Sequence, residues 1–205
     1  MIIKSVESTS YEGMYKITTE KGTVIFVRQE YLSGVELAAV QSGEVFDDEE
    51  EEALYDAGLI TVVELKAVSY LARSEQCRFG LKRKLLAKQY KASDIDKVLD
   101  FLESKGYLSD ERYAAAWLND RRINHYEGQS KLLLELQSRG IDKAIAVAAV
   151  NEFFTEHDEE EICKKACERF TKKGKSDEKL IEALLKAGFA YKMIKRVIDP
   201  ETSSG

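Results

Sequence analysis

The chain has 205 residues, 44% hydrophobic and 33% charged, enough to bury the core of one large or two small domains and stay in solution. No run approaches the roughly 18 apolar residues of a membrane span. The start Met1-Ile2-Ile3-Lys4 lacks the charged lead and apolar core of a secretory leader, and Cys77, Cys163 and Cys167 are too few for a disulfide framework, so a cytoplasmic protein is expected.

Residues 2–28 read as strand. Tyr15, Ile17 and Thr19 alternate with Lys16 and Thr18, and Thr23-Val24-Ile25-Phe26-Val27 is β-branched and aromatic. Lys21-Gly22 supplies a hairpin turn. A short helix is expected near Val35–Val40. From Asp47 onward every signal is helical, and the single proline is Pro200. Asp47 with Glu50 has the spacing of a capping box, so the acidic run 47–52 is expected at a helix start, where the macrodipole favours negative charge. A calcium loop would need a turn glycine and a ligand spacing that are missing.

Three later stretches repeat one pattern. Leu81 and Leu85, Leu132 and Leu136, and Leu180 and Leu184 are each spaced to share a helix face. Gln89, Gly140 and Gly188 follow, where helices often end in the left-handed conformation. One large apolar residue comes next, and a further helix follows each turn. Leu85, Leu136 and Leu184 lie 51 and 48 residues apart, a period that indicates tandem helical units. A further helix is expected before each pair, near 64–74, 110–124 and 158–173, with capping boxes at Ser93/Asp96 and Asp158/Glu161. The expected fold is therefore mainly α: a small β-containing N-terminal segment (1–60), three tandem three-helix repeats (61–107, 108–155, 156–199) and a disordered tail (200–205).

Charge follows these divisions. Residues 1–65 carry 4 basic and 14 acidic side chains, and 92–163 carry 8 and 16. By contrast 66–91 carry 8 and 1, and 164–196 carry 11 and 4. Two basic blocks thus sit in a chain of net charge −6, a pattern that bears on partners more than the total does.

Chemistry-bearing motifs are scarce. There is no phosphate-binding loop or dinucleotide glycine pattern. Neither His125 nor His157 adjoins a serine on a sharp turn. Cys163 and Cys167 with His157 lack a fourth ligand and a Cys-x-x-Cys, so they are expected to be core thiols. Asp94, Asp96, Asp100 and Glu103 lie opposite the apolar stripe Val98, Leu99 and Leu102, so they are expected in water rather than around a catalytic metal. Tyr113 and Trp117 continue the stripe of Ala114 and Leu118 and are expected in the core rather than stacked on bases. No enzyme and no cofactor is expected.

One segment is more specific. Gly106-Tyr107-Leu108-Ser109-Asp110-Glu111-Arg112-Tyr113-Ala114 leads to Arg121-Arg122, Gly128, Leu132, Leu136 and Arg139-Gly140-Ile141-Asp142. This resembles the signature of the RecX family, an Asp-Glu-Arg-Phe-Ala run followed by a basic helix end and a glycine. Tyr70-Leu71-Ala72-Arg73, leading into Leu81-Lys82-Arg83-Lys84-Leu85-Leu86, resembles the same family, and the likeness covers residues 60–198. There are departures: Tyr113 replaces phenylalanine, Gln89 replaces the usual glycine so that its helix end is expected to close differently, Cys77 stands where a capping serine is common, and Gly80 where an acid is common.

The resemblance implies a monomeric regulator that binds the RecA nucleoprotein filament, modulates and most often inhibits it, and meets single- or double-stranded DNA weakly or through the filament, with no membrane partner. Candidate contacts fall in three groups. They are Arg73, Lys82, Arg83, Lys84 and Lys88; then Arg112, Arg121 and Arg122; then Lys164, Lys165, Lys172 and Lys173. Each is otherwise an ordinary solvated helix residue. The alternative is an autonomous helical DNA-binding module, against which the acidic total and the lack of a recognition-helix pattern both weigh.

Overall fold

Alternation produces the expected meander. Strands β1 (Ile3–Ser8), β2 (Met14–Thr19) and β3 (Val24–Arg28) form an antiparallel sheet in that order. Its inner face buries Ile3, Ile17 and Val27 completely, against Leu37, Phe46 and Leu54. This computed structural model describes residues 1–199, apart from the side chains of Asn124 and Asp177; the tail 200–205, expected to be disordered, lies outside the described residues. Instead of a helix near 35–40 the chain makes a single 3-10 turn, Leu37–Ala39, enough to place Leu37 in the core.

Helix α1 (Asp48–Leu71) starts where its cap requires. The Asp47 carboxylate accepts the N–H groups of Glu49 and Glu50 at 3.0 and 2.9 Å, and Glu50 returns the bond to the Asp47 N–H at 3.0 Å. A separate helix over 64–74 does not exist. Residues 48–71 contain no proline, and Leu54, Ala57, Ile60, Val63 and Ala67 keep an unbroken helical stripe. Inside the N-terminal region Arg28 and Glu64 form a buried bidentate pair, at 2.5 Å from Nε and 2.6 Å from Nη2. Arg28 Nη1 also donates to the Glu12 carbonyl at 2.7 Å, so the buried charge is well satisfied.

α2 (Arg78–Leu86) and α3 (Ala92–Ser104) follow. The chain forms two compact units, residues 1–74 with 81–107, and residues 75–80 with 108 onward, so the boundary passes through the first turn of α2. α3 is not started by a Ser93/Asp96 box. Its N-cap is Lys91, and Asp96 is instead held by Lys82 at 2.6 Å. Gln89 takes φ +64, so the turn after α2 reaches the left-handed conformation without glycine, contrary to expectation.

The second unit contains α4 (Asp110–Asn124), α5 (Gln129–Ser138), α6 (Lys143–Glu156), α7 (Glu159–Lys172), α8 (Asp177–Lys186) and α9 (Tyr191–Ile198). Ser109, Asp142 and Asp158 cap α4, α6 and α7 through their side chains. At Asp158 one half of the expected box is diverted, since Glu161 engages Lys164 at 2.8 Å. After α5 and α8 the chain turns through Gly140 and Gly188, and Ile141 and Phe189 donate back to Leu136 and Leu184 at 3.2 Å. Leu85, Leu136 and Leu184 are all fully buried. Cys77 Sγ does the work of the missing serine, accepting the Gly80 N–H at 3.3 Å and donating to the Arg139 carbonyl at 3.4 Å.

Candidate basic binding surface

In the first unit, Arg83, Lys84 and Lys88 are exposed, while Lys82 is half-buried in its ion pair with Asp96. Leu81 and Leu85 face inward and force this outcome. Lys84 Nζ lies 5.5 Å from the Tyr70 ring centroid. Arg73, just past α1, is exposed and makes no ion pair among the described residues.

In the second unit, Arg112 Nε contacts Glu75 at 2.9 Å. Arg121 is clasped by Glu127 through two bonds of 2.6 and 2.9 Å, and these hold its guanidinium firmly charged. Its plane lies 5.2 Å from the Trp117 ring, which Arg139 covers at 4.7 Å. Tyr113 and Trp117 are half-buried against the core, as their stripe requires. Lys164 is held by Glu160 and Glu161. Arg122, Lys165, Lys172 and Lys173 are exposed and make no ion pair among the described residues.

Helical spacing brings part of the third group together. Lys165, Arg169 and Lys172 lie on one face of α7, with Lys164 turned away by about 100°. Together with Lys173, Ile123 and Tyr126 they line a shallow groove of about 510 Å³, in which Glu168 is the acid. An adjoining hollow of about 530 Å³ shares Ile123, Tyr126 and Lys165 and adds Arg121 and Arg122 from the second group, but there Glu127, Glu156, Asp158 and Glu161 balance the cations. A third, of about 330 Å³, shares Tyr126, Arg169 and Lys173 and adds Lys175 and Lys186. The net basic surface is therefore the groove on α7, since acids balance the α4 side and Lys186 of α8 is paired with Glu182 at 2.5 Å. Arg169, Lys175 and Lys186 were not among the expected contacts. The i, i+4, i+7 spacing of Lys165, Arg169 and Lys172 was the available signal for the first of them.

Exposed cations around an exposed Ile123 and a half-buried Tyr126 suit an extended anionic partner rather than a reaction centre. No group of three or more His, Cys, Asp or Glu side chains among the described residues could hold a metal ion, and no helix among them is long and apolar enough to cross a membrane. Burial pushes the Cys163 thiol up to about 12, which suits a packing residue.

A mainly helical protein with a small N-terminal sheet and an exposed basic groove is the class these features define. Comparison with known proteins is specific. Family models described as the first and second three-helix domains of RecX match residues 65–102 and 109–150. A regulatory protein RecX from Treponema pallidum is 32% identical over 155 residues, covering 76% of this chain and 94% of that one. Another, from Clostridioides difficile, is 27% identical over 165 residues, covering 78% and 77%. The chain belongs to the RecX family of regulatory proteins. A crystal structure of a regulatory protein RecX superposes with a TM-score of 0.78 over 97% of this chain and 98% of that one, at 18% identity. RecX from Lactobacillus salivarius gives 0.60 over 69% and 96%, at 22% identity, so the fold is shared where identity is low.

Proposed function

We propose that this protein regulates the RecA recombinase by binding its nucleoprotein filament, acting as a non-enzymatic, cytoplasmic monomer that most often inhibits. Family membership supports the regulatory role, and the basic groove on α7, lined by Lys165, Arg169, Lys172 and Lys173, is the observation that carries the filament contact. The three candidate groups are proposed as contacts, except for Lys164, which Glu160 and Glu161 hold away from the groove, and with Arg169 added to the third; the repeats are taken as 61–107, 108–155 and 156–199. A filament repeats its charges along a helical groove, which suits basic clusters presented by tandem helical units. DNA phosphates reached through the filament add a sequence-independent, salt-sensitive share.

Two measurements at one salt concentration test this. Binding is compared on bare single-stranded DNA and on RecA-coated DNA, and RecA's DNA-stimulated ATP hydrolysis is followed as the protein is added. Tighter binding to the coated DNA with falling hydrolysis is expected. Equal binding to both with unchanged hydrolysis would favour an autonomous DNA-binding module, and nucleotide hydrolysis or DNA cutting by the purified protein would end the non-enzyme reading.

A further inference from the structure

The first unit carries a cleft of about 610 Å³ that the regulatory reading leaves unused. Its volume is in the range of sites that enclose a ligand or one or two large side chains. Leu65, Val68 and Leu71 of α1 form an apolar wall, and Met14 of β2 continues it. Tyr11 and Tyr15 of the first hairpin line the cleft from the sheet side, Tyr11 being 55% exposed. The polar base is already committed: Arg28 is paired with Glu64 and stacked 4.6 Å over Phe101.

The charge left at the rim is negative. Glu30 lies 3.8 Å from Lys105 and 3.9 Å from Arg28. Glu12 is exposed, and its carboxylate makes no ion pair among the described residues. The cleft lining as a whole carries Glu12, Glu30 and Glu64 against Arg28 and Lys105, which leaves one carboxylate in excess. Such a field repels phosphate and attracts cations. An apolar wall gains most from covering by an apolar group, and tyrosine faces beside a carboxylate favour a cationic side chain.

We propose that this cleft docks a short segment of a partner protein carrying a large apolar side chain next to a basic one. The apolar side chain covers Val68 and Leu71, and the basic one meets Glu12 and the Tyr11 ring. This goes beyond the regulatory reading and does not depend on it.

The test is an NMR titration of the isotopically labelled full chain with N-acetyl-Trp-Arg-amide, alongside N-acetyl-Trp-Glu-amide. The arginine peptide is expected to shift the amides of Gly13, Tyr15 and Ala72, and to bind about fivefold more tightly than the glutamate peptide, the effect of one exposed ion pair. Glu12→Lys is expected to abolish that preference. Ala72→Phe, at an exposed position on the cleft wall, is expected to remove the shifts and leave the rest of the spectrum in place. Shifts scattered over the surface, equal binding of the two peptides, or undiminished binding by Ala72→Phe would each overturn the proposal. Failure to slow RecA would overturn the regulatory reading and leave these shifts unaffected.

Discussion

Trp117 is the chain's single tryptophan, and two guanidinium groups lie over its ring, Arg139 at 4.7 Å and Arg121 at 5.2 Å, each itself held by an acid. Glu135 binds Arg139 at 2.8 Å and Lys131 at 3.0 Å. Hydrogen bonds from Lys131 and then Arg139 keep its carboxyl below the ordinary value of 4.5, against the opposing effect of burial. A depressed carboxyl contributes stability above its unfolded value, and that contribution is lost as pH falls through the lower folded one. Trp117 emission is therefore expected to change at a midpoint below pH 4.5 while helix content persists, and Glu135→Gln should abolish the change. A transition that survives intact in Glu135→Gln would place the titrating group elsewhere. Cys163 offers a second check. With its thiol pushed up by burial, it should resist alkylation at about pH 8 until denaturant is added, while the half-buried Cys167 reacts first. The thiols' packing role was legible from their helical spacing. The arginine clamp on Trp117 was not, because Arg139 comes from a helix end far along the chain.

Among the elements, the turns after α2, α5 and α8 show what periodicity reveals and what it hides. The repeated leucines located all three turns, and the left-handed backbone at Gly140 and Gly188 followed from helix-ending chemistry. Gln89 broke the pattern for a reason that lies in packing. A Cβ on Gly140 would stand 2.4 Å from the Phe79 ring, and one on Gly188 would stand 2.4 Å from Lys131 Cβ, so neighbouring helices press on both turns. Gln89 is exposed. Glycine is thus demanded twice at 140 and 188, by backbone and by contact, and only by backbone at 89. Gly140→Ala and Gly188→Ala should each cost about 2–4 kcal/mol, from the left-handed backbone and overpacking together. Gln89→Gly should be neutral or stabilise by up to about 1 kcal/mol. Urea midpoints would measure all three, and a Gly140→Ala protein as stable as the parent would refute the packing account. The same limit explains α1, whose cap was readable while its length was set by burial of its stripe against both the sheet and α3.

At the scale of the whole chain, charge was legible as blocks but not as surfaces. Counting placed basic groups at 66–91 and 164–196, yet Lys82 is paired with Asp96, Lys164 with Glu160 and Glu161, and Lys186 with Glu182. The exposed remainder differs between the units, and that difference can be tested. Lys82, Arg83 and Lys84 changed together to glutamate address the first unit; Lys165, Lys172 and Lys173 changed together address the second. Both triple variants should keep the fold, because Leu81 and Leu85, and Cys163 and Ala166, supply the buried faces of those helices. Each should weaken binding to RecA-coated DNA, and the second more, because its three residues line one groove with Arg169. Lys164→Glu is the internal control. Its neighbour Lys165 faces the groove while Lys164 does not, so Lys165→Glu should lower affinity severalfold and Lys164→Glu much less. Contacts between exposed charges weaken as the screening length falls from about 10 Å at 0.1 M salt to about 3 Å at 1 M. The parent protein should therefore lose affinity steadily as salt rises, and the second triple variant should lose it along a shallower slope, having fewer cations to screen. If that variant kept both the parent's affinity and its salt slope, the groove on α7 would be ordinary solvated surface, and the contact would fall to Arg83, Lys84 and Lys88.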